Sequence, residues 1–408
     1  MTDIFFTATI WLFLAVLATV LANRLKISMA LIEICVGALA GYLCAHYFVQ
    51  DVLKTNEEWL RFVSSTGAVL LTFLAGAELE PTVLKTKQKE VIIVGIIGFL
   101  VPFLGATVAA KYLLHWELRA SLLAGIALST TSMAVVYSVM LEYGFNKTEF
   151  GKGILGACFV NDLGTVIALG LIFAPFNFKT IIFVVVSIIV FFFLPSITQK
   201  LMHLYAFKTA AIRTKWILFI LFFLGSLSLW AGSEAVLPAY IVGMVLATTV
   251  NKDDHFIRRF RTLTIGFLTP FYFLRAGALV SITAIIAAPI IILILFGAKV
   301  ISKIFGLFPV ISKFRSDRKE RWYYTLMMST GLTFGTISAL YGLTHGIVTK
   351  DQYSYLVAVV IGSAIIPTII ANFAFLPKHL LKIPMSDEEM LQLDNDSHEK
   401  NSVDDTVF

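Results

Sequence analysis

The sequence predicts an all-α polytopic membrane protein of about thirteen transmembrane helices, built as two inverted halves that each carry one interrupted helix. Three observations carry this. The 408 residues are 58% hydrophobic and only 14% charged, a composition of membrane bundles and not of soluble domains. Apolar stretches of about 20 residues, the length that crosses a hydrocarbon core about 30 Å thick, recur along the chain. The Lys and Arg between them are dense in every second loop and sparse in the others.

The stretches run over 4–23, 29–49, 60–79, 91–113, 118–141, 152–174, 180–204, 214–232, 235–250, 263–280, 283–308, 322–345 and 354–376. The ninth is short and the tenth contains Pro270. With the N-terminus outside, inward-facing segments hold most of the 32 Lys and Arg, while outward segments hold Lys54, Arg61, Lys111, Arg119, Lys179 and Lys350. Adding or losing one span would scramble that asymmetry, so the expected topology is N-terminus out and C-terminus cytoplasmic, in a bacterial inner (plasma) membrane. The net charge of +6 is then topological, with anionic lipid headgroups and no nucleic acid as the partner of the basic loops. The first span is too long, and lacks the cationic flank, for a cleaved signal peptide. The stretch 387–408 is rich in Asp and Glu with Lys400 as its lone cation, and reads as a disordered, solvated tail.

The fifth and twelfth spans are each interrupted halfway by small polar residues: Ser129-Thr130-Thr131-Ser132 in one, Gly331 to Ser338, including Thr333, Gly335 and Thr336, in the other. They are seven spans apart, so they run in opposite directions. Paired interruptions in inverted halves are the sequence pointer to a transport site. The competing reading is small-residue helix packing, which Gly331 and Gly335 fit, as do Gly37 and Gly41 in the second span.

The sixth span carries Asn161-Asp162 at its middle. A carboxylate there is costly in hydrocarbon, so it reads as a proton or cation site, or else as an acid held protonated or ion-paired in the bundle. With nearby hydroxyls and carbonyls freed by the interruption, Asp162 would form a hard oxygen site suited to a small monovalent cation. A proton can compete for the same carboxylate. Asn161 adds a neutral amide. Lys299, in the eleventh span, is the expected counter-charge, in a structural or a proton-carrying role. Lys303, one turn on, is expected to snorkel. Glu78 and Glu80, at the inner end of the third span, read either as helix-end acids that snorkel or as a cytoplasmic vestibule that concentrates cations. Glu33 and Arg275 are further intramembrane charges whose partners the sequence does not choose.

Two patterns are set aside. Gly151-Lys152-Gly153-Ile154-Leu155-Gly156 matches a dinucleotide fingerprint, but no strand–turn–helix context surrounds it. The seven His and the three Cys (Cys35, Cys44 and Cys158) show no metal-ligand spacing, so buried free thiols are expected. With no nucleophile constellation either, an enzyme and a bound cofactor are not expected.

The runs 129–136 and 159–165, with Phe73 to Pro81 and Gly331 to Gly342, resemble the monovalent cation:proton antiporter-2 family, and together they span most of the chain. The resemblance implies the sodium/proton antiporter fold with crossed, interrupted helices, and a homodimer of protomers with a panel part (about 1–90 and 205–280). It also implies a mobile core (about 91–175 and 281–377) and a linking helix (about 180–204) within a transmembrane unit 1–386. It implies that Asp162 takes Na+ (or Li+) in exchange for H+ by alternating access and that Lys299 is the family's core lysine. Potassium/proton exchange is the alternative, and a cation channel or membrane sensor is the alternative from another class. Relatives with Asn-Asp tend to be electroneutral yet often carry a glutamate five residues before the aspartate, where this chain has Ala157. The nucleotide-binding domain of potassium-efflux relatives is not expected.

Overall fold

The computed structural model describes residues 2–25, 28–47, 52–77, 87–145, 148–173, 178–205, 212–233, 235–250 and 260–380. Glu78, Glu80, Glu234 and the acidic tail lie outside the described residues. The elements are α1 (Thr2–Leu25), α2 (Met29–Tyr47), α3 (Glu58–Ala77), α4 (Gln88–Val108), α5 (Leu118–Ser129), α6 (Met133–Glu142), α7 (Glu149–Phe173) and α8 (Phe178–Tyr205). They continue as α9 (Ile212–Trp230), α10 (Val236–Val250), α11 (Thr269–Ala278), α12 (Ile282–Ala287), α13 (Pro289–Ile311), α14 (Arg318–Met327), α15 (Thr333–Thr344) and α16 (Lys350–Ala374).

Helices occupy all the predicted stretches. Nine are long and apolar enough, among the described residues, to cross a membrane; shorter or broken helices fill the rest, so thirteen crossings goes further than length and apolarity alone. Local chemistry sets the boundaries. Asp317 caps α14 by accepting from the amides of Lys319 and Glu320 at 2.7 and 2.9 Å, and Thr349 and Gln352 form a capping box on α16. Pro270 does not break its span. A π-helical turn over Thr264–Leu268 precedes it, and Pro270 itself stands in the first turn of α11, where proline is tolerated.

The pattern of a long helix, a broken pair and a long helix occurs twice, as α4, α5/α6, α7 and as α13, α14/α15, α16. The half-helices have 12 and 10 residues in the first copy, 10 and 12 in the second. α4 is the centre of this group, packing on α5, α7 and α13.

Helices already in hydrocarbon gain little by hiding apolar side chains from one another, so close association rests on small residues that let backbones touch. Gly37 and Gly41 of α2 lie against the backbone of Leu274 and Ala278 in α11, and Gly277 of α11 lies against that of Ile34. Gly76 of α3 and Gly243 of α10 make a second such seam against Tyr240 and Phe73. The packing reading of Gly37 and Gly41 therefore holds. The dinucleotide-like run is packing too: a side chain at Gly151 would strike the Phe145 carbonyl. The α2/α3/α10/α11 group meets the α4–α7 group where Leu237 covers Gly170 and the Tyr240 hydroxyl donates to the Phe159 carbonyl at 3.0 Å.

Glu33 and Arg275 are both buried but form no ion pair with one another. Arg275 Nε donates to the Thr55 carbonyl at 2.8 Å, and Glu33 Oε1 finds no hydrogen-bond partner among the described residues.

Candidate functional site

The two broken helices meet at their breaks. In the first, Thr130, Thr131 and Ser132 leave the helix. In the second, the break covers Met328 to Leu332, three residues earlier than the sequence suggested. Only Gly331 and Leu332 of the expected run fall within it; Thr333, Gly335 and Thr336 are already helical in α15. The reason is hydroxyl chemistry upstream. Ser329 Oγ donates to the Thr325 carbonyl at 2.7 Å and Thr330 Oγ1 to the Met327 carbonyl at 2.8 Å, local bonds that compete with helix propagation.

Two hydrogen bonds tie the breaks together: Thr131 Oγ1 donates to the Met328 carbonyl at 2.8 Å, and the Ser132 amide donates to Thr330 Oγ1 at 3.4 Å. The hydroxyls predicted as ion ligands are thus largely committed to the backbone. Ser129 Oγ and Thr130 Oγ1 donate to the Ile126 and Ala127 carbonyls at 2.9 and 3.0 Å, and Ser132 Oγ accepts the Val135 amide at 3.3 Å as the cap of α6. In α15, Thr336 Oγ1 bonds the Leu332 carbonyl at 2.8 Å, and Gly335 makes room for Thr130 and Val360.

α7 passes alongside. Its approach depends on Gly95 of α4, where a side chain would overlap Val160. Asn161 uses both ends of its amide on backbone that the first break sets free: Oδ1 accepts the Thr131 amide at 3.0 Å and Nδ2 donates to the Ser129 carbonyl at 3.3 Å. It is placed as a clasp on the break. Asp162 is 2% exposed, and its Oδ1 has no hydrogen-bond partner among the described residues. A buried carboxylate oxygen left open in this way is a costly arrangement unless something else comes to it.

Both lysines of α13 reach the crossing. Lys299 Nζ donates to the Thr130 carbonyl at 3.2 Å, at the C-terminal, partly negative end of α5, where an ammonium is favoured. Lys303 does not snorkel. It is 0% exposed and its Nζ donates to Thr131 Oγ1 at 3.0 Å. The buried four-carbon stem spends its reach on the break because α13 faces the crossing there and not an interface. Lys303 is also the cation that acts electrostatically on Asp162, without forming a salt bridge to it. Gly331 is what lets Lys299 in: any side chain there would collide with the Lys299 ammonium. The site is therefore one open carboxylate, two ammonium groups, four half-helix ends and a neutral clasp, closed to solvent in this conformation. Such a set can hold a hard monovalent cation or a proton at the carboxylate, with the lysines balancing charge when the carboxylate is empty.

The family described as "Sodium/hydrogen exchanger, transmembrane" matches residues 12–376. The chain belongs to that family. A protein of Methanocaldococcus jannaschii named "Probable Na(+)/H(+) antiporter 3" is 24% identical over 83% of this chain and 89% of its own length. The "Na(+)/H(+)-K(+) antiporter GerN" of Bacillus cereus is 23% identical over 78% of this chain and 84% of its own. Among solved structures, the sodium proton antiporter MjNhaP1 of Methanocaldococcus jannaschii superposes with a TM-score of 0.68 at 17% identity, covering 93% of this chain and 99% of that one. The fold is therefore the antiporter fold, in an integral multi-pass membrane protein of a transporter family.

Sequence reading missed Lys303 as a site residue, although its i, i+4 spacing from Lys299 places the two on one helix face. It also missed an ion-pair cluster at one end of the core helices. There Arg315 holds Glu90 of α4 through Nε and Nη2 at 2.9 and 2.8 Å and lies 3.9 Å from Glu320.

Proposed function

We propose that this exchanger trades Na+ (or Li+) for H+ by alternating access, with Asp162 binding cation and proton in turn. One observation carries the reading: a buried carboxylate with an unpartnered oxygen stands beside two touching helix breaks, on a chain of the sodium/hydrogen exchanger family. Desolvated acids inside a membrane bundle are sites of ion or proton passage by default, and interrupted helices in inverted copies supply half-helix ends and freed carbonyls around such a site. Potassium is the second cation to try, because the name of the GerN relative includes it.

α4–α7 and α13–α16 form the moving core and α1–α3 with α9–α11 form the panel through which two protomers pair. α8 links them, and the membrane is crossed thirteen times with the N-terminus outside. The seam at Tyr240 and Leu237 is then where core and panel slide.

The test is sodium-, lithium- and potassium-driven proton movement in proteoliposomes carrying a pH-sensitive dye. Asp162→Asn should abolish exchange while leaving a folded protein. Near-normal exchange in that variant would remove Asp162 from the mechanism.

A further inference from the structure

Cys158 lies four residues before Asp162 on α7 and so on the same face of the helix. It is fully buried, and its Sγ donates to Met328 Sδ at 3.6 Å. Met328 belongs to the second break, whose backbone is already bonded to Thr131. One helical turn along that face, Asp162 Oδ1 is the open, buried oxygen described above. A thiol and a thioether from two elements therefore meet at one buried point, one helical turn from an unpartnered carboxylate.

We propose that Cys158 Sγ, Met328 Sδ and the Asp162 carboxylate form a binding site for a thiophilic monovalent cation, and that filling it blocks the exchanger. Thiolate and thioether ligands select soft ions such as Cu(I), whereas the carboxylate alone serves hard ones. The sulfur separation of 3.6 Å is less than twice a metal–sulfur bond of about 2.3 Å, so both sulfurs can hold one ion from the same side. No group of three or more His, Cys, Asp or Glu is gathered among the described residues, so a four-ligand zinc site is not the competitor. Ag+ has the charge of Na+ and is the natural probe. On binding, the Sγ–H bond breaks and an Sγ–Ag bond forms. The proton leaves to water, and nothing is oxidised or reduced.

The binding half of this inference stands on geometry alone; the blocking half rests on Asp162 being the exchange site. The experiment uses full-length protein in which Cys35→Ser and Cys44→Ser remove the two half-buried thiols. Ag+ should bind this protein at one ion per chain, read by thermal shift and by silver X-ray absorption showing two sulfur neighbours. Adding Cys158→Ser should raise the Ag+ concentration needed by at least about tenfold, and Met328→Leu should weaken binding in the same direction. In proteoliposomes Ag+ should stop exchange, excess Na+ should protect, and Cys158→Ser should keep exchange while losing the block. Equal Ag+ binding with and without Cys158, or none in the double-serine protein, would overturn the site. Binding that leaves exchange running, or that Na+ does not oppose, would overturn the block. Silver binding that depends on Cys158 in a protein that exchanges no cation would leave this site standing and remove the exchange reading instead.

Discussion

Lys303 and Thr131 are bonded ammonium to hydroxyl at 3.0 Å, and the same hydroxyl donates onward to the Met328 carbonyl at 2.8 Å. Thr131 thus joins α13 to both breaks, and the charge of Lys303 acts on Asp162. A protonated Lys303 competes with an incoming cation for the Asp162 carboxylate.

Lys303→Gln keeps a donor for Thr131 and removes the charge. The half-saturating Na+ concentration should fall by about fivefold or more, because unit charges within about 15 Å interact by at least about 1 kcal/mol at an effective dielectric near 20. Lys303→Arg should show no such fall. Sodium titrations of exchange in proteoliposomes at one fixed pH make the measurement, and an unchanged or raised value for the glutamine variant refutes it.

Asn161→Asp should destabilise the protein near neutral pH. A carboxylate can accept from the Thr131 amide as Asn161 Oδ1 does, but its other oxygen would face the Ser129 carbonyl with no hydrogen to share. An unmade buried bond of that kind costs about 1–3 kcal/mol. In acid the substituted carboxyl carries a proton and can donate again, so the melting-temperature difference from the parent should narrow. Equal melting temperatures at both pH values would show that the clasp on the break contributes nothing.

Gly331→Ala should leave the helices formed and stop exchange. Its methyl would displace the Lys299 ammonium from the Thr130 carbonyl and stand 3.1 Å from Thr130 Oγ1 and 3.2 Å from Ser363 Oγ. Circular dichroism and gel filtration report the fold, and dye-based exchange reports the site. Wild-type transport in this variant would mean that Lys299 is free to sit elsewhere.

Asp317→Ala removes the cap of α14 and should cost about 1 kcal/mol. The amides of Glu320 and Lys319 hold the Asp317 carboxyl below the usual aspartate range. A group whose folded value is lowered gives its stabilisation above the unfolded value and loses it as pH falls through the lowered one. The gap between parent and variant melting temperatures should therefore be full at neutral pH and close in acid. A gap that does not change with pH would show the cap acting without its charge.

Four hydroxyls in a row at 129–132 made the first break legible, because no apolar helix keeps such a run without a use for it. The second was legible as a break but misplaced: Gly331 and Gly335 drew attention, while Ser329 and Thr330, whose hydroxyls turn the chain, look like ordinary helix positions. The burial of Asp162 could be read from its distance to either end of α7. That of Lys303 could not, since a long stem reaches water or the crossing depending on how α13 is rotated, and rotation is set by packing. Asn161 shows the same limit. Its amide type was plain, but spending both ends on backbone depends on where Ser129 and Thr131 fall after the helix opens. Glu33 and Arg275 could have been partners by type; only the placement of Thr55 shows where the guanidinium goes.

The glycine seam between α2 and α11 has a mechanical consequence. Where Gly37, Gly41 and Gly277 bring backbone onto backbone, no side chains stand between the helices to change rotamer and take up a shift. Each position excludes even a methyl, so sliding by a fraction of a turn would drive Cα atoms into carbonyls. That joint is stiff by construction. Compliance has to come from contacts made through longer side chains, such as the one between α10 and α7, where the Tyr240 hydroxyl bonds a carbonyl between aromatic rings.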